Sequence, residues 1–127
     1  MARSHSPVIG VIGGSGVYEI EGLENVHWKK AVSPFGEPSG DLCFGTLGDV
    51  QFVFLPRHDR GHRIPPSDIN YPANIDVLKR AGVTDIISVS AVGSLNADLA
   101  PGTFVIIDQF IDRSFARRKS FFGPGLV

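Results

Sequence analysis

Groups able to donate hydrogen bonds to an anion follow three predicted strands of this sequence. They belong to the stretches "GGSG" (residues 13–16), "PRHDRGHR" (residues 56–63) and "SVSAVGSL" (residues 88–95). Glycine lets a backbone N–H approach a ligand closely, a hydroxyl donates one hydrogen bond, and arginine offers a two-pronged fork to an oxyanion. The candidate donors are Ser15 in the first stretch, Arg57, His58, Arg60, His62 and Arg63 in the second, and Ser90, Ala91, Gly93 and Ser94 in the third.

Each stretch is ambiguous when it is taken alone. The glycine loop fits a plain tight turn as well as an anion contact, because Glu19 replaces the third glycine of the dinucleotide fingerprint and no Gly-Lys-Ser/Thr follows. Residues 56–63 form either a solvated basic loop or a shared anion site, and their arginines disfavour a metal ion. Because ligand sites gather at the carboxyl ends of strands in open α/β sheets, convergence of the three strand ends would indicate a phosphate-sized ligand.

The elements that must position these groups are those of an α/β fold with a parallel or mixed sheet. Hydrophobic runs predict strands over residues 7–13, 42–47, 50–55, 85–90 and 102–112. The second and third of these form a hairpin with Gly48 and Asp49 at the turn. Residues 24–40 are predicted to enter a loop, because prolines and glycines recur from residue 34 onward.

One helix is predicted over "NYPANIDVLKRAG", residues 70–82. Ser67, Asp68 or Asn70 can cap its start, and Gly82 is expected to stop it. We expect Ile75 and Leu78, three residues apart, to face the sheet.

Composition limits the remaining possibilities. A chain of 127 residues with 43% hydrophobic and 20% charged residues predicts one globular core. The net charge of -1 gives no field that would attract nucleic acid or a membrane surface, and the basic stretch at residues 112–120 is read as a solvated face. The single cysteine, Cys43, is expected to be buried and inert, which together with the lack of a signal peptide favours the cytoplasm.

Five blocks together resemble a known family. They are "GVIGGSGVYEIEGL", "SPFGEPSGDL", "PRHDRGHRIPPSDINYPANIDVLKRAGV", "SAVGSL" and "VIIDQFIDR". Their content and order, from about residue 8 to residue 122, are similar to those of the 5′-methylthioadenosine phosphorylases of the trimeric purine nucleoside phosphorylase group. The resemblance implies a mixed sheet partly closed into a barrel with flanking helices, which is incomplete in this chain.

The resemblance also implies an activity. Inorganic phosphate, a co-substrate, would attack the anomeric carbon of 5′-methylthioadenosine and give adenine and 5-methylthioribose 1-phosphate without a further cofactor. It matches Ser15, Arg57, His58, Ser90 and Ala91 to phosphate-binding positions. Ala91 also stands near the base, and His62 matches a histidine near the ribose. A cytoplasmic homotrimer is implied as well.

The length departs from the family pattern, because its members are roughly twice as long. Residues 1–127 therefore resemble the N-terminal, phosphate-binding half of a single phosphorylase domain, with the general acid and base-binding residues expected beyond Val127. Asp108 and Asp112 are read as structural. A second chain could supply the C-terminal half. Three alternatives stay open: a phosphorylase of methylthioinosine or 6-oxopurine nucleosides, a catalytically incomplete module that binds phosphate or a nucleotide without being an enzyme, and a dinucleotide-binding domain, against which the missing third glycine argues.

Overall fold

A five-stranded mixed sheet with one helix is the framework of the chain. The computed structural model describes residues 6–14, 16, 19–118 and 120–123. The elements, in chain order, are β1 (Val8–Gly13), β2 (Glu24–Lys29), β3 (Leu42–Leu47), β4 (Val50–Pro56), α1 (Tyr71–Arg80) and β5 (Asp85–Ser88). The strand order is β2-β3-β4-β1-β5. The predicted mixed α/β sheet is confirmed, and over the described residues it is open and flanked by α1 alone.

Strand direction divides the sheet into two parts. β1 is parallel to β4 on one side and to β5 on the other. β3 is antiparallel to both β2 and β4. The predicted β3–β4 hairpin is confirmed, and Gly48 at its turn has a φ of 57°, a left-handed conformation that glycine adopts without a steric penalty.

Helix α1 begins and ends close to the predicted residues. The side chain of Asn70 caps it, because Oδ1 accepts a hydrogen bond from the backbone N–H of Ala73 at 3.2 Å. Gly82, with a φ of 86°, follows the last turn. Leu78 is fully buried as expected, but Ile75 is 39% exposed, so that part of the prediction was wrong. At 100° per residue, Ile75 lies about 130° around the helix from the centre of the buried face.

Two apolar clusters lie on opposite faces of the sheet, because successive strand residues point to opposite sides. On the helix side the buried residues are Leu42, Val53, Leu55, Val77, Leu78 and Val83. On the other side they are Val11, Cys43 and Phe54, with Trp28 and Phe52 half-buried. Cys43 is buried as predicted, and burial raises the pKa of its thiol while the positive charge of Arg60 opposes the rise.

The strand predictions failed for two strands whose backbone is paired but whose side chains are mostly exposed. β2 was predicted as part of a loop, but it forms an edge strand paired with β3. Only Trp28 of its six residues is even half-buried, so the sequence shows no buried-exposed alternation there. β5 was predicted to be buried over residues 85–90, but it ends at Ser88 and all four of its residues are exposed at the opposite edge of the sheet.

The strand predicted over residues 102–112 was wrong. This segment contains no strand, and Phe104, Ile106 and Ile111 are 94%, 98% and 86% exposed. A strand needs a neighbouring edge for its hydrogen bonds, and among the described residues this segment is paired with none. No helix among the described residues is long and apolar enough to cross a membrane.

Candidate functional site

The carboxyl ends of β4, β1 and β5 lie side by side at one edge of the sheet. These three strands are adjacent and parallel, so the segments that follow them emerge together. The N–H of Arg57 donates to the carbonyl of Gly13 at 2.8 Å, and the N–H of Val89 donates to the carbonyl of Ile12 at 2.8 Å. The backbone hydrogen bonds therefore continue past the ends of β4 and β5, and they hold the backbone at Arg57 and just before Ser90 against β1.

A cleft of about 350 Å³ opens where these strand ends meet. It is lined by Ile12, Arg57, His58, Pro66, Ile69, Tyr71, Ser88, Ser90 and Ala91. Four of the predicted anion-binding residues, Arg57, His58, Ser90 and Ala91, line it and come from the segments that follow β4 and β5, whereas β1 contributes Ile12. Among the described residues that line the cleft none is acidic, so its only formal charge is the positive charge of Arg57.

Arg57 connects two of the strand ends through its side chain. One terminal nitrogen donates to Oγ of Ser90 at 2.7 Å, and Nε lies 3.3 Å from Nε2 of His58. The first contact is short and bridges residues 33 positions apart in the chain. It holds the guanidinium group at the cleft, where its planar fork can be offered to an oxyanion.

His58 is oriented by contacts at both ring nitrogens. Nδ1 lies 2.9 Å from the carbonyl oxygen of Ile64, which can only accept, so Nδ1 carries a hydrogen. Nε2 faces Nε of Arg57, which can only donate, so Nε2 accepts. The two contacts assign a neutral ring whose lone pair lies on Nε2.

His62, predicted to lie near a ribose, stands behind His58 and does not line the cleft. Its ring stacks on that of His58 with centroids 5.6 Å apart and planes inclined by 11°. Its backbone is left-handed, with a φ of 55°, and its side chain is exposed. Ser15, the predicted hydroxyl of the glycine loop, lies outside the described residues.

The other two arginines of residues 56–63 do not line the cleft. Arg63 forms an ion pair with Asp59 at 2.6 Å, and the Arg60 guanidinium lies 4.7 Å from the centre of the Trp28 ring. Neighbouring arginines repel one another, and these two partners offset that repulsion. Arg57 alone of the three faces the cleft.

Sequence reasoning missed the wall of the cleft opposite the sheet. Pro66, Ile69 and Tyr71 form it, and they belong to the loop before α1 and to its first residue. The Tyr71 hydroxyl accepts a hydrogen bond from Arg117 at 2.9 Å, which gives the basic stretch a structural contact in place of the expected solvation. Ser88 was also missed, although its spacing of two residues from Ser90 predicts a side chain on the same side of the strand.

Comparison with known proteins gives consistent results. The sequence matches the family described as Phosphorylase superfamily over residues 8–126. It is 68% identical over 121 residues to the S-methyl-5'-thioadenosine phosphorylase of Rhodospirillum rubrum, covering 95% of this chain and 41% of that protein. It is 61% identical over 120 residues to the enzyme of the same name from Bradyrhizobium diazoefficiens, covering 94% and 41%. The chain thus spans less than half the length of these relatives.

The fold is similar to that of a solved phosphorylase. A variant of the adenosine/methylthioadenosine phosphorylase from Schistosoma mansoni, crystallised with adenine, superimposes with a TM-score of 0.84 at 44% sequence identity. The superposition covers 94% of this chain and 41% of that chain. The open sheet and helix described above therefore correspond to one part of the phosphorylase fold.

Proposed function

The chain belongs to the phosphorylase superfamily, and on this premise we propose that it forms the phosphate-binding part of a 5′-methylthioadenosine phosphorylase. In the proposed reaction, an oxygen of inorganic phosphate forms a bond to the anomeric carbon of 5′-methylthioadenosine as the bond to adenine breaks. The bonding electrons leave with the purine, which takes up a proton, and the products are adenine and 5-methylthioribose 1-phosphate. The proposed reaction uses phosphate as a co-substrate and no further cofactor.

The observation that supports this proposal is the meeting of three strand ends at one cleft. Arg57, His58, Ser90 and Ala91 come from separate parts of the sequence, yet they line the same 350 Å³ space. A single arginine with hydroxyl donors, and with no acidic side chain among the described residues that line the cleft, favours an oxyanion over a cation. A phosphate held there would be both the nucleophile and a stabilising charge for the positive sugar that develops in the transition state.

The proposal assigns the remaining functions to protein outside residues 1–127. We infer that the purine-binding residues and the general acid belong to the part of the phosphorylase that this chain does not span, supplied along one longer chain or by a second chain. We also infer a cytoplasmic homotrimer. His62, stacked behind His58, would reach a ribose only if its side chain turned toward the cleft.

The test is a chimaera in which this chain is joined to the C-terminal part of the Rhodospirillum rubrum relative. We expect adenine release from 5′-methylthioadenosine only when both the joined segment and phosphate are present, and we expect Arg57→Ala to abolish most of it. Release that does not require phosphate would indicate a hydrolase and contradict the proposal. Comparing kcat/KM for 5′-methylthioadenosine, methylthioinosine and inosine then determines whether a 6-amino or a 6-oxo purine is preferred.

A further inference from the structure

Among the described side chains that line the cleft, His58 offers a ligand a nitrogen that can only accept a hydrogen bond. Nδ1 of His58 is committed to the carbonyl of Ile64 at 2.9 Å, so the ring nitrogen left for a ligand is Nε2. In the structure Nε2 accepts from Nε of Arg57 at 3.3 Å, a long contact that a ligand hydroxyl could replace. The guanidinium of Arg57 only donates, whereas the hydroxyls of Ser88 and Ser90 can do either.

We propose that His58 makes this cleft select an oxyanion that carries a hydrogen, such as hydrogen phosphate, over one that carries none, such as sulfate. The inference rests on the proposed phosphate site and defines which ionic form the site takes. The hydroxyl of hydrogen phosphate donates to Nε2 of His58 while the other oxygens accept from Arg57 and Ser90. Sulfate has the same shape and charge at neutral pH, but it places an acceptor oxygen against the Nε2 lone pair.

Sulfate has no contact with Nε2 if Arg57 keeps its hydrogen bond there, and otherwise it avoids the repulsion only if a proton from solvent is added to Nε2. The groups around the ring determine how readily this happens. Arg57 points a positively charged N–H at Nε2, and the His62 ring covers one face of the imidazole. The Asp59 carboxylate is already bound by Arg63 and by the N–H of Arg60. Tyr71 shares the cleft, with its hydroxyl bound by Arg117.

The surrounding charges thus offer no unpaired carboxylate to stabilise a protonated ring among the described residues that contact it. Binding of sulfate should therefore be weaker than binding of phosphate and should take up a proton where sulfate contacts Nε2, whereas binding of hydrogen phosphate should not.

The experiment is isothermal titration calorimetry of the 127-residue chain with phosphate, arsenate and sulfate at about pH 8, in two buffers of different ionisation enthalpy. Arsenate carries a hydrogen as phosphate does, so it separates hydrogen content from anion size. We expect phosphate and arsenate to bind with similar affinity and sulfate to bind at least about tenfold more weakly, with uptake of up to about one proton.

Two variants assign the effect to one side chain. In His58→Asn the carboxamide can turn either its oxygen or its nitrogen toward the ligand, so the phosphate-to-sulfate ratio should approach unity and proton uptake should disappear. His27→Asn is the matched control, because Nδ1 of His27 also lies 2.9 Å from a carbonyl, that of Asn25, but His27 does not line the cleft. This control should retain the full preference.

Three outcomes would overturn the inference. Equal affinities for phosphate and sulfate without proton uptake in the unaltered chain would show that His58 does not select, and this result needs no variant. An unchanged preference in a folded His58→Asn chain would assign the selection to another group. Binding of none of the three anions would overturn the proposed phosphate site and the inference that rests on it.

Discussion

Residues 6–83 and residues 84–123 contain similar proportions of apolar side chains but differ sharply in what those side chains contact. In the first region, strands and α1 bury Phe54, Leu55 and Leu78 completely. In the second region Phe104 and Ile106 are 94% and 98% exposed. The contrast shows that β-branched and aromatic residues alone do not form a strand. β5 pairs with β1 although its residues are exposed, whereas residues 102–112 form no strand among the described residues.

The candidate site draws on both regions, so its geometry depends on how firmly the second is attached to the first. Arg57 and His58 follow a buried strand, whereas Ser90 and Ala91 follow the exposed edge strand β5. Among the described contacts, the backbone bond from Val89 to Ile12 and the side-chain bond from Arg57 to Ser90 join them at the cleft. Substitutions in each region should therefore distinguish effects on the free energy of unfolding from effects on phosphate affinity.

The largest difference is expected in stability. Leu78→Ala removes a fully buried side chain between α1 and the sheet, and should lower the free energy of unfolding by about 2–5 kcal/mol. Phe104→Ala, at a side chain that is 94% exposed, should change it by less than about 0.5 kcal/mol. Urea unfolding followed by circular dichroism measures both, and a comparable loss for Phe104→Ala would show that the second region also packs.

The next effect is on phosphate affinity. Arg57→Ala removes the charged donor of the cleft and should weaken phosphate binding by about 10- to 100-fold, measured by calorimetry. Arg60→Ala is the control, because the Arg60 guanidinium lies over Trp28 and outside the cleft. If the two variants lost affinity equally, the arginines of residues 56–63 would attract phosphate as a diffuse positive charge and would not form a defined binding site.

A smaller effect is expected where the second region contributes to the site. Ser90→Ala removes the hydroxyl that Arg57 contacts at 2.7 Å and should weaken phosphate binding by about 2- to 10-fold. Ser94→Ala, in which the lost hydroxyl contacts the Asn96 carbonyl at 2.8 Å, should have no effect on binding. An Arg57-sized loss in Ser90→Ala would mean that the Ser90 hydroxyl acts mainly by positioning the Arg57 guanidinium.

Local sequence signals were sufficient to predict the β3–β4 hairpin and helix α1 of the first region. The turn at Gly48, the Asn70 cap and the Gly82 stop each act through neighbouring residues, so the hairpin and helix could be predicted. Whether residues 102–112 form a strand depends on pairing with a strand distant in sequence. The apolar run itself does not show whether such a strand is present. The exposed strand β2 was missed for the related reason that pairing without burial leaves no alternating pattern.

The candidate site was predictable to the extent that it depends on strand ends. Parallel neighbours bring their carboxyl ends together, which places Arg57 and Ser90 at one edge without any knowledge of the loops. Tyr71 could not be anticipated in this way, because packing of the loop before α1 brings it to the cleft. The contact of the Arg60 guanidinium with the Trp28 ring likewise depends on β2, which was not predicted from the sequence.

If three strand ends bind one phosphate, the amide groups that follow the three strands must respond to it together. In a phosphate titration followed by ¹H–¹⁵N correlation spectra, we expect the amide signals of Gly14, His58 and Ala91, one after each strand, to shift with a single dissociation constant. Shifts confined to Arg60 and Arg63, or different dissociation constants at the three strand ends, would contradict it.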